Sequence, residues 1–286
     1  MERYYRFAGI TFRVCGPEDQ MYRAENALAP FVTEDTEAAC TYEFQLVDQL
    51  SAPRGKCVFQ DSAMWVYESN DTQIRYQGPL QEGLSGAYLR ICRQGYHCCV
   101  EALRRVMPDY VTTKTVLNSL EAEHWIAQRQ GILLHASFIC YEGNAIVFTA
   151  PSGTGKSTQA ALWNCFRGAE QMNGDRVAVM LTENGVCACG VPFSGSSGIC
   201  KNASAPLKAI VFLSQAPQTE IVRLKGLKAF RSIWEGCSIN AWNQQDVDLS
   251  SRTVMQILSS VPVFHLACTP DESAVIALEQ ALEQMR

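Results

Sequence analysis

Ala150-Pro151-Ser152-Gly153-Thr154-Gly155-Lys156-Ser157-Thr158 decides how this chain is read. It ends in Gly-Lys-Ser-Thr and lies between two runs of different periodicity. Ahead of it, Ala145-Ile146-Val147-Phe148-Thr149 is short, apolar and β-branched, the pattern of a buried strand. Behind it, Ala160, Leu162, Trp163 and Phe166 recur at helical spacing. A strand that turns at once into a helix aims several backbone N–H groups at one point. The helix N-terminus adds roughly half a positive charge there. Gly153 and Gly155 supply dihedrals that a Cβ would penalise, so the backbone can wrap an anion. The spacing predicts a phosphate cradle made by Ser152, Gly153, Thr154, Gly155, Lys156, Ser157 and Thr158. Lys156 reaches β- and γ-phosphates, the Ser157 hydroxyl takes Mg²⁺, and Thr158 touches an α- or β-phosphate. The expected ligand is a nucleoside triphosphate. The full pattern G-x-x-x-x-G-K-[ST] opens on glycine, where this chain has Ala150; an alanine costs little if it still belongs to the strand.

Working upstream, Ile132-Leu133-Leu134-His135-Ala136-Ser137-Phe138-Ile139 reads as a strand, and Tyr141-Glu142-Gly143-Asn144 as a turn. The loop strand is then the second arm of a hairpin, unlike a plain doubly wound NTPase. Thr112 to Gln130 carries Val116, Leu117, Leu120, Trp125 and Ile126 at helical spacing before Gly131. Residues 1–110 read as a smaller β-rich region, with alternation over Tyr4–Val14 and strand candidates at Thr41–Val47, Ala63–Tyr67, Gln73–Tyr76, Ala87–Cys92 and Tyr96–Val100. The turns between them suggest an antiparallel meander. The domains expected are therefore 1–110 and 111–286.

Downstream, Asn173-Gly174-Asp175-Arg176 precedes an apolar strand at Val177–Leu181. In ordinary P-loop NTPases the metal-linked acid ends its strand; here Asp175 comes before it. Ser194-Gly195-Ser196-Ser197-Gly198, with Lys201 nearby, is a Gly/Ser-rich segment suited to closing over a substrate. Strands at Val186–Val191, Leu207–Leu213, Glu220–Leu224 and Val263–Leu266 alternate with helices near 226–237 and 246–260. Thr269-Pro270-Asp271-Glu272 opens a last helix, read with Thr269 at the N-cap and Glu272 at N3.

Composition narrows the function classes. The chain has 286 residues, 47% of them apolar, and a net charge of −5. Lys and Arg form no run, so nucleic acid is a poor partner. Met1-Glu2-Arg3-Tyr4-Tyr5-Arg6 lacks the apolar centre of a signal peptide, and no apolar run approaches the ~18 residues of a membrane span. Thirteen scattered cysteines fit free thiols in a reducing cytoplasm better than disulfides. Cys92, His97, Cys98 and Cys99 are the densest group and lack the paired spacing of a zinc site.

These motifs resemble the HPr kinase/phosphorylase and phosphoenolpyruvate carboxykinase group. That group places a histidine on the strand before the P-loop hairpin and an aspartate motif before the next strand. The matching elements here are Leu134-His135-Ala136-Ser137, residues 150–158 and Gly174-Asp175-Arg176-Val177. Pro192–Lys201, Pro206–Leu213 and Pro262–Leu266 add to the likeness, which is closest to small HPr-kinase-like proteins of bacterial peptide-modification cassettes and covers roughly residues 110–286. It implies an α/β fold: an HPr-kinase-like P-loop domain with a mixed sheet, preceded by the β-rich region. It also implies ATP, Mg²⁺ and transfer to a hydroxyl of a peptide, protein or small molecule. Asp175 would be the general base, a Mg²⁺ ligand together with Ser157, or both. His135 would lie near the phosphates, and Arg176 would stabilise the transferring phosphoryl. HPr kinases carry two adjacent aspartates before that strand, whereas this chain has Gly174-Asp175. The alternative is a catalytically weak nucleotide-binding accessory or peptide-recognition protein.

Overall fold

Tyr5 and Phe7, then Ile10, Phe12 and Val14, fall on alternate positions of strands β1 (Glu2–Phe7) and β2 (Ile10–Cys15), and all are buried. Ala8 (φ 51°) and Gly9 (φ 72°) supply the two-residue turn between them, a geometry that needs positive φ at both positions. The computed structural model describes residues 2–16, 25–81, 83–106 and 117–285. They form two compact units, Met1–Glu121 and Ala122–Arg286. The boundary expected at 110/111 lies outside the described residues.

The first unit holds an eight-stranded sheet in the order β1-β2-β3-β8-β7-β6-β5-β4. The further strands are β3 (Cys40–Val47), β4 (Lys56–Gln60), β5 (Met64–Ser69), β6 (Thr72–Gln77), β7 (Leu89–Gln94) and β8 (His97–Leu103), and a short helix α1 spans Glu25–Leu28. Strands β5 to β8 form the expected meander, and β4, which the sequence reading lacks, extends it by pairing with β5. The sheet is not antiparallel throughout: β3 pairs in parallel with both β2 and β8. The long connection from Cys15 to Cys40 lets the chain cross over before β3 is laid down, so β3 runs with its neighbours. Within this unit Glu121 is fully buried and is shared by Arg75 and Arg93. The helix expected over 112–130 is interrupted. Residues 117–119 are helical, Glu121 takes a φ of 47°, and helix α2 then covers Ala122–Gln128.

The second unit is mixed α/β around a nine-stranded mixed sheet. Strands β9 (Gly131–Tyr141) and β10 (Asn144–Thr149) form the expected hairpin through Glu142 and Gly143, both at positive φ. After helix α3 (Lys156–Arg167) come β11 (Glu170–Asn173), β12 (Arg176–Thr182), β13 (Gly185–Gly190), β14 (Ser204–Gln215) and β15 (Glu220–Leu224). Helix α4 (Gly226–Trp234), the short β16 (Cys237–Ser238), helix α5 (Gln244–Ser260), β17 (Val263–Cys268) and helix α6 (Glu272–Glu283) complete the unit. Pairing runs β10-β9-β12-β13-β14 and returns from β14 to β10, closing a five-strand ring.

Alternation along the strands builds two cores. Leu134, Ala136 and Phe138 of β9 and Ala145 and Val147 of β10 join Ala229, Ile233, Val254 and Ile257 of α4 and α5. Ile139, Ile146 and Phe148 face the other way, onto Ala160 and Trp163 of α3 and Ala274, Val275 and Leu278 of α6. The sheet is thus covered by one helix pair on each face. The cap of α6 differs from the sequence reading. Asp271, not Thr269, is the N-cap: its carboxylate accepts from the Ser273 N–H at 2.9 Å, and the Thr269 hydroxyl donates to it at 2.6 Å. An extended Asp at the cap satisfies an orphan donor that a threonine two residues earlier does not reach.

Candidate functional site

Strand β10 is buried along nearly its whole length and ends at Thr149, which fixes where the next residues must turn. The chain leaves the sheet at Ala150 and enters α3 at Lys156. Gly153 has φ 78° and Gly155, the N-cap of α3, has φ 121°, so the two glycines occupy dihedrals that side chains disfavour. Gly155 brings no capping side chain, which leaves the first N–H groups of the helix directed at the loop. Lys156 is 7% exposed, and its Nζ donates to the Ala150 carbonyl at 3.0 Å and the Pro151 carbonyl at 3.3 Å. The lysine thus bridges its own loop. Burial pushes its pKa down, and the nearby Asp175 charge opposes that. Ser157 and Thr158 are exposed on the first turn, and Ser152 is exposed in the loop.

The fixed side of the site is β9. The Ser137 hydroxyl donates to the Lys156 carbonyl at 3.0 Å, tying the start of α3 to the sheet. The Thr149 hydroxyl donates to the His135 carbonyl at 3.1 Å, and the His135 N–H donates to the Gly236 carbonyl at 2.8 Å. At Gly236 a Cβ would stand 2.6 Å from Thr149 Oγ1, so only glycine lets the backbone pass this close. In the sheet register His135 lies opposite Arg176, which puts both on one face.

Asp175 sits in a tight turn between β11 and β12. Asn173, 1% exposed, makes that turn. Its Oδ1 accepts from the N–H groups of Asp175 (3.1 Å) and Arg176 (3.2 Å), and its Nδ2 donates to the Val191 carbonyl at 2.5 Å. The carboxylate of Asp175 lies 3.7 Å from His135 Nδ1 and 3.7 Å from Arg176 Nε. Arg176 also donates from Nη1 to Ser238 Oγ at 2.5 Å and lies over the Phe193 ring, 5.4 Å from its centroid. The His135 imidazole is half-buried, and its pKa is pushed down first by that burial and then by the Lys156 charge; the Asp175 carboxylate pulls the other way.

The Gly/Ser segment covers Asp175. Gly195, at φ 56°, comes so close that a Cβ there would lie 2.8 Å from the Asp175 Cβ. A Cβ on Gly174 would run into the Ser197 hydroxyl. Lys201 is turned to Glu170, with which it pairs at 2.5 Å on the surface. On the other side of the loop, a cavity of about 370 Å³ lies at the C-terminal ends of β14 and β17.

His135, Asp175, Arg176 and Lys156 are therefore gathered at one end of the ring. Sequence reasoning missed Asn173, Ser137, Thr149, Ser238 and Gly236. The polar residue Ser137 inside an otherwise apolar strand was the available signal; the other four act through approaches that only the closed sheet creates. Among the described residues no group of three or more His, Cys, Asp and Glu side chains is arranged to hold a metal ion, and no helix is long and apolar enough to cross a membrane.

The model of the family "ScmC: SynChlorMet cassette protein ScmC" matches residues 122–272, just over half of the chain. No curated protein matches the chain. Among solved structures, the HPr(Ser) kinase/phosphatase from Coxiella burnetii is similar at 11% identity and a TM-score of 0.31, over 54% of this chain and 92% of that one.

Proposed function

The chain belongs to the ScmC family of SynChlorMet cassette proteins, and from the site that its matched half carries we propose an HPr-kinase-like, ATP-dependent phosphotransferase acting on a hydroxyl of a peptide, protein or small molecule. A peptide matured by the same cassette is the acceptor class that family membership favours. The observation that carries the reading is Lys156, buried at the mouth of a positive-φ glycine loop, within electrostatic range of Asp175 and His135. The whole 122–286 unit acts in this reading as a P-loop domain.

The loop N–H groups from Ser152 to Thr158 bind the phosphates, and Lys156 exchanges its two carbonyl partners for phosphate oxygens. The acceptor oxygen attacks the γ-phosphorus, the bond to the β–γ bridging oxygen breaks, and ADP leaves. The acceptor proton passes to the Asp175 carboxylate. The His135 ring stands beside it, its Nδ1 3.7 Å from the carboxylate, and lines the same side of the site. Arg176, held by Ser238 and Phe193, fixes the carboxylate from the other side and adds positive charge near the transferring group. The Ser157 hydroxyl and the Asp175 carboxylate are oxygen donors of the kind Mg²⁺ accepts, and Mg²⁺ usually uses only one or two protein ligands beside phosphates. An ion held by them would neutralise phosphate charge.

Gly174 favours a second reading, a nucleotide-binding accessory protein that recognises a peptide without transfer. The position where HPr kinases carry a second acid is closed here by Ser197, so any kinase chemistry rests on Asp175 alone. The test is incubation of the purified full chain with ATP, Mg²⁺ and candidate precursor peptides, read by mass spectrometry. One added phosphate, lost in Asp175→Asn, is the result expected of a kinase. ATP binding that depends on Lys156, with no transfer to any candidate, would move the assignment to the accessory protein.

A further inference from the structure

Gln159 stands three residues after Lys156, one turn into α3, and is 3% exposed. A buried primary amide has donors and an acceptor to satisfy, and leaving one unpaired is costly. Gln159 is only half satisfied. Its Nε2 donates to the Cys268 thiol at 3.2 Å, a weak acceptor, while its Oε1 is buried with no hydrogen-bond partner. The same side chain lines the cavity of about 370 Å³ beside the loop, together with Thr158, Leu213, Cys268 and Pro270.

The placement of this cavity follows from the sheet. Strand β10 carries the loop and lies between β9 on one side and β14 on the other. His135 and Asp175 stand on the β9 side. The cavity opens on the β14 side, at the carboxyl ends of the parallel strands β10, β14 and β17, the position where open α/β sheets receive ligands. Backbone of Gly153 and Gly155 lines it as well, so a molecule whose phosphates occupy the loop has its remainder beside Gln159. The volume falls within the usual range for a small-molecule pocket.

We propose that this cavity receives the nucleoside of the phosphate donor and that Gln159 reads its base as adenine. The inference rests on the ATP-dependent reading above and names the place and the residue by which the base would be recognised. An adenine edge offers an exocyclic N–H donor next to a ring-nitrogen acceptor, the pair that a glutamine amide matches with its oxygen and nitrogen together. Oε1 gains the donor it lacks, and Nε2 exchanges a sulfur for a nitrogen. Guanine would also meet an amide, through its 6-oxo group and ring N1–H, but its 2-amino group, which adenine lacks, calls for a further acceptor. Leu213 and Pro270 contribute apolar surface to the same cavity, suited to the faces of a planar base.

The experiment is calorimetric titration of the full chain, in Mg²⁺, with ATP, GTP, purine riboside 5′-triphosphate (adenine's ring without its amino group) and inorganic tripolyphosphate. ATP is expected to bind about tenfold or more tightly than purine riboside triphosphate, and more tightly than GTP. Gln159→Leu is expected to bring ATP and purine riboside triphosphate to within about twofold of each other. The unmodified chain decides the matter even if that variant does not fold. Equal binding of ATP and purine riboside triphosphate, or tighter binding of GTP, overturns the assignment of Gln159 while tripolyphosphate binding leaves the loop's role standing. Failure of all four ligands to bind overturns the nucleotide reading and this inference with it.

Discussion

At the scale of single residues, the site is built by close approaches more than by charges. Gly195 takes a positive φ and lies against the Asp175 side chain. Gly195→Ala adds a Cβ where there is no room and strains the backbone by about 1–2 kcal/mol. Because the segment is partly exposed and can shift, the expected change in melting temperature is a few degrees at most. If the chain is the kinase proposed above, displacing the carboxylate lowers phosphoryl transfer by about tenfold to a hundredfold; transfer at the parent rate would show that the segment leaves Asp175 during turnover. Asn173 is the complementary case, a residue that holds backbone. Asn173→Ala leaves two N–H groups and one buried carbonyl without partners and is expected to cost about 1–3 kcal/mol in denaturant unfolding. A loss under 0.5 kcal/mol would mean the turn is held by its neighbours. The glycine turn between β10 and α3 was legible because it is local: nine consecutive residues, Ala150–Thr158, carry it. Asn173, Gly195 and Gln159 were not, because what each does depends on a partner far along the chain.

At the scale of elements, periodicity carried the second unit well. The apolar runs of β9, β10 and β14 and the stripe of α3 were readable because buried strands and amphipathic helices each impose their own spacing. Polar β11, with the sequence Glu-Gln-Met-Asn, carries no such pattern and forms because the edge of β9 is there to receive it. The parallel placement of β3 was equally out of reach, since alternation tells which face a strand buries but not its neighbour. Helices α2 and α5 are joined by a buried polar contact that the sequence did not announce. His124 Nδ1 lies 2.9 Å from the carboxylate of Asp246, which Asn240 also contacts at 2.8 Å. Burial alone would raise the Asp246 pKa; the hydrogen bonds from His124, Asn240 and Gln128 outweigh it, and the net shift is downward. A carboxylate with a depressed folded pKa adds stability above its ordinary range near 4 and loses it as pH falls through the folded value. Asp246→Asn is therefore expected to destabilise the protein near pH 7 and much less at pH 3. Parallel urea titrations of the parent and variant check this, and a difference independent of pH would contradict it.

At the scale of the molecule, the two hydrophobic cores described for Ala122–Arg286 are made entirely within that unit. Expressed alone, residues 122–286 are expected to unfold cooperatively in urea and to give the near-ultraviolet dichroism of fixed aromatic packing. A broad, noncooperative transition would show that the first unit completes its core. The ring of β9, β10, β12, β13 and β14 has a further consequence, for the order of events in synthesis. Thr149, at the end of the loop strand, pairs with Phe212, about sixty residues later. At 5–20 residues per second, roughly 3–12 s pass between the two leaving the ribosome. Through that interval Ala145, Ile146, Val147 and Phe148 have one hairpin partner and one open apolar edge. Closure of the ring is a long-range pairing of the kind that forms slowly, and until β14 emerges the nascent chain presents the apolar edge of β10 unpaired.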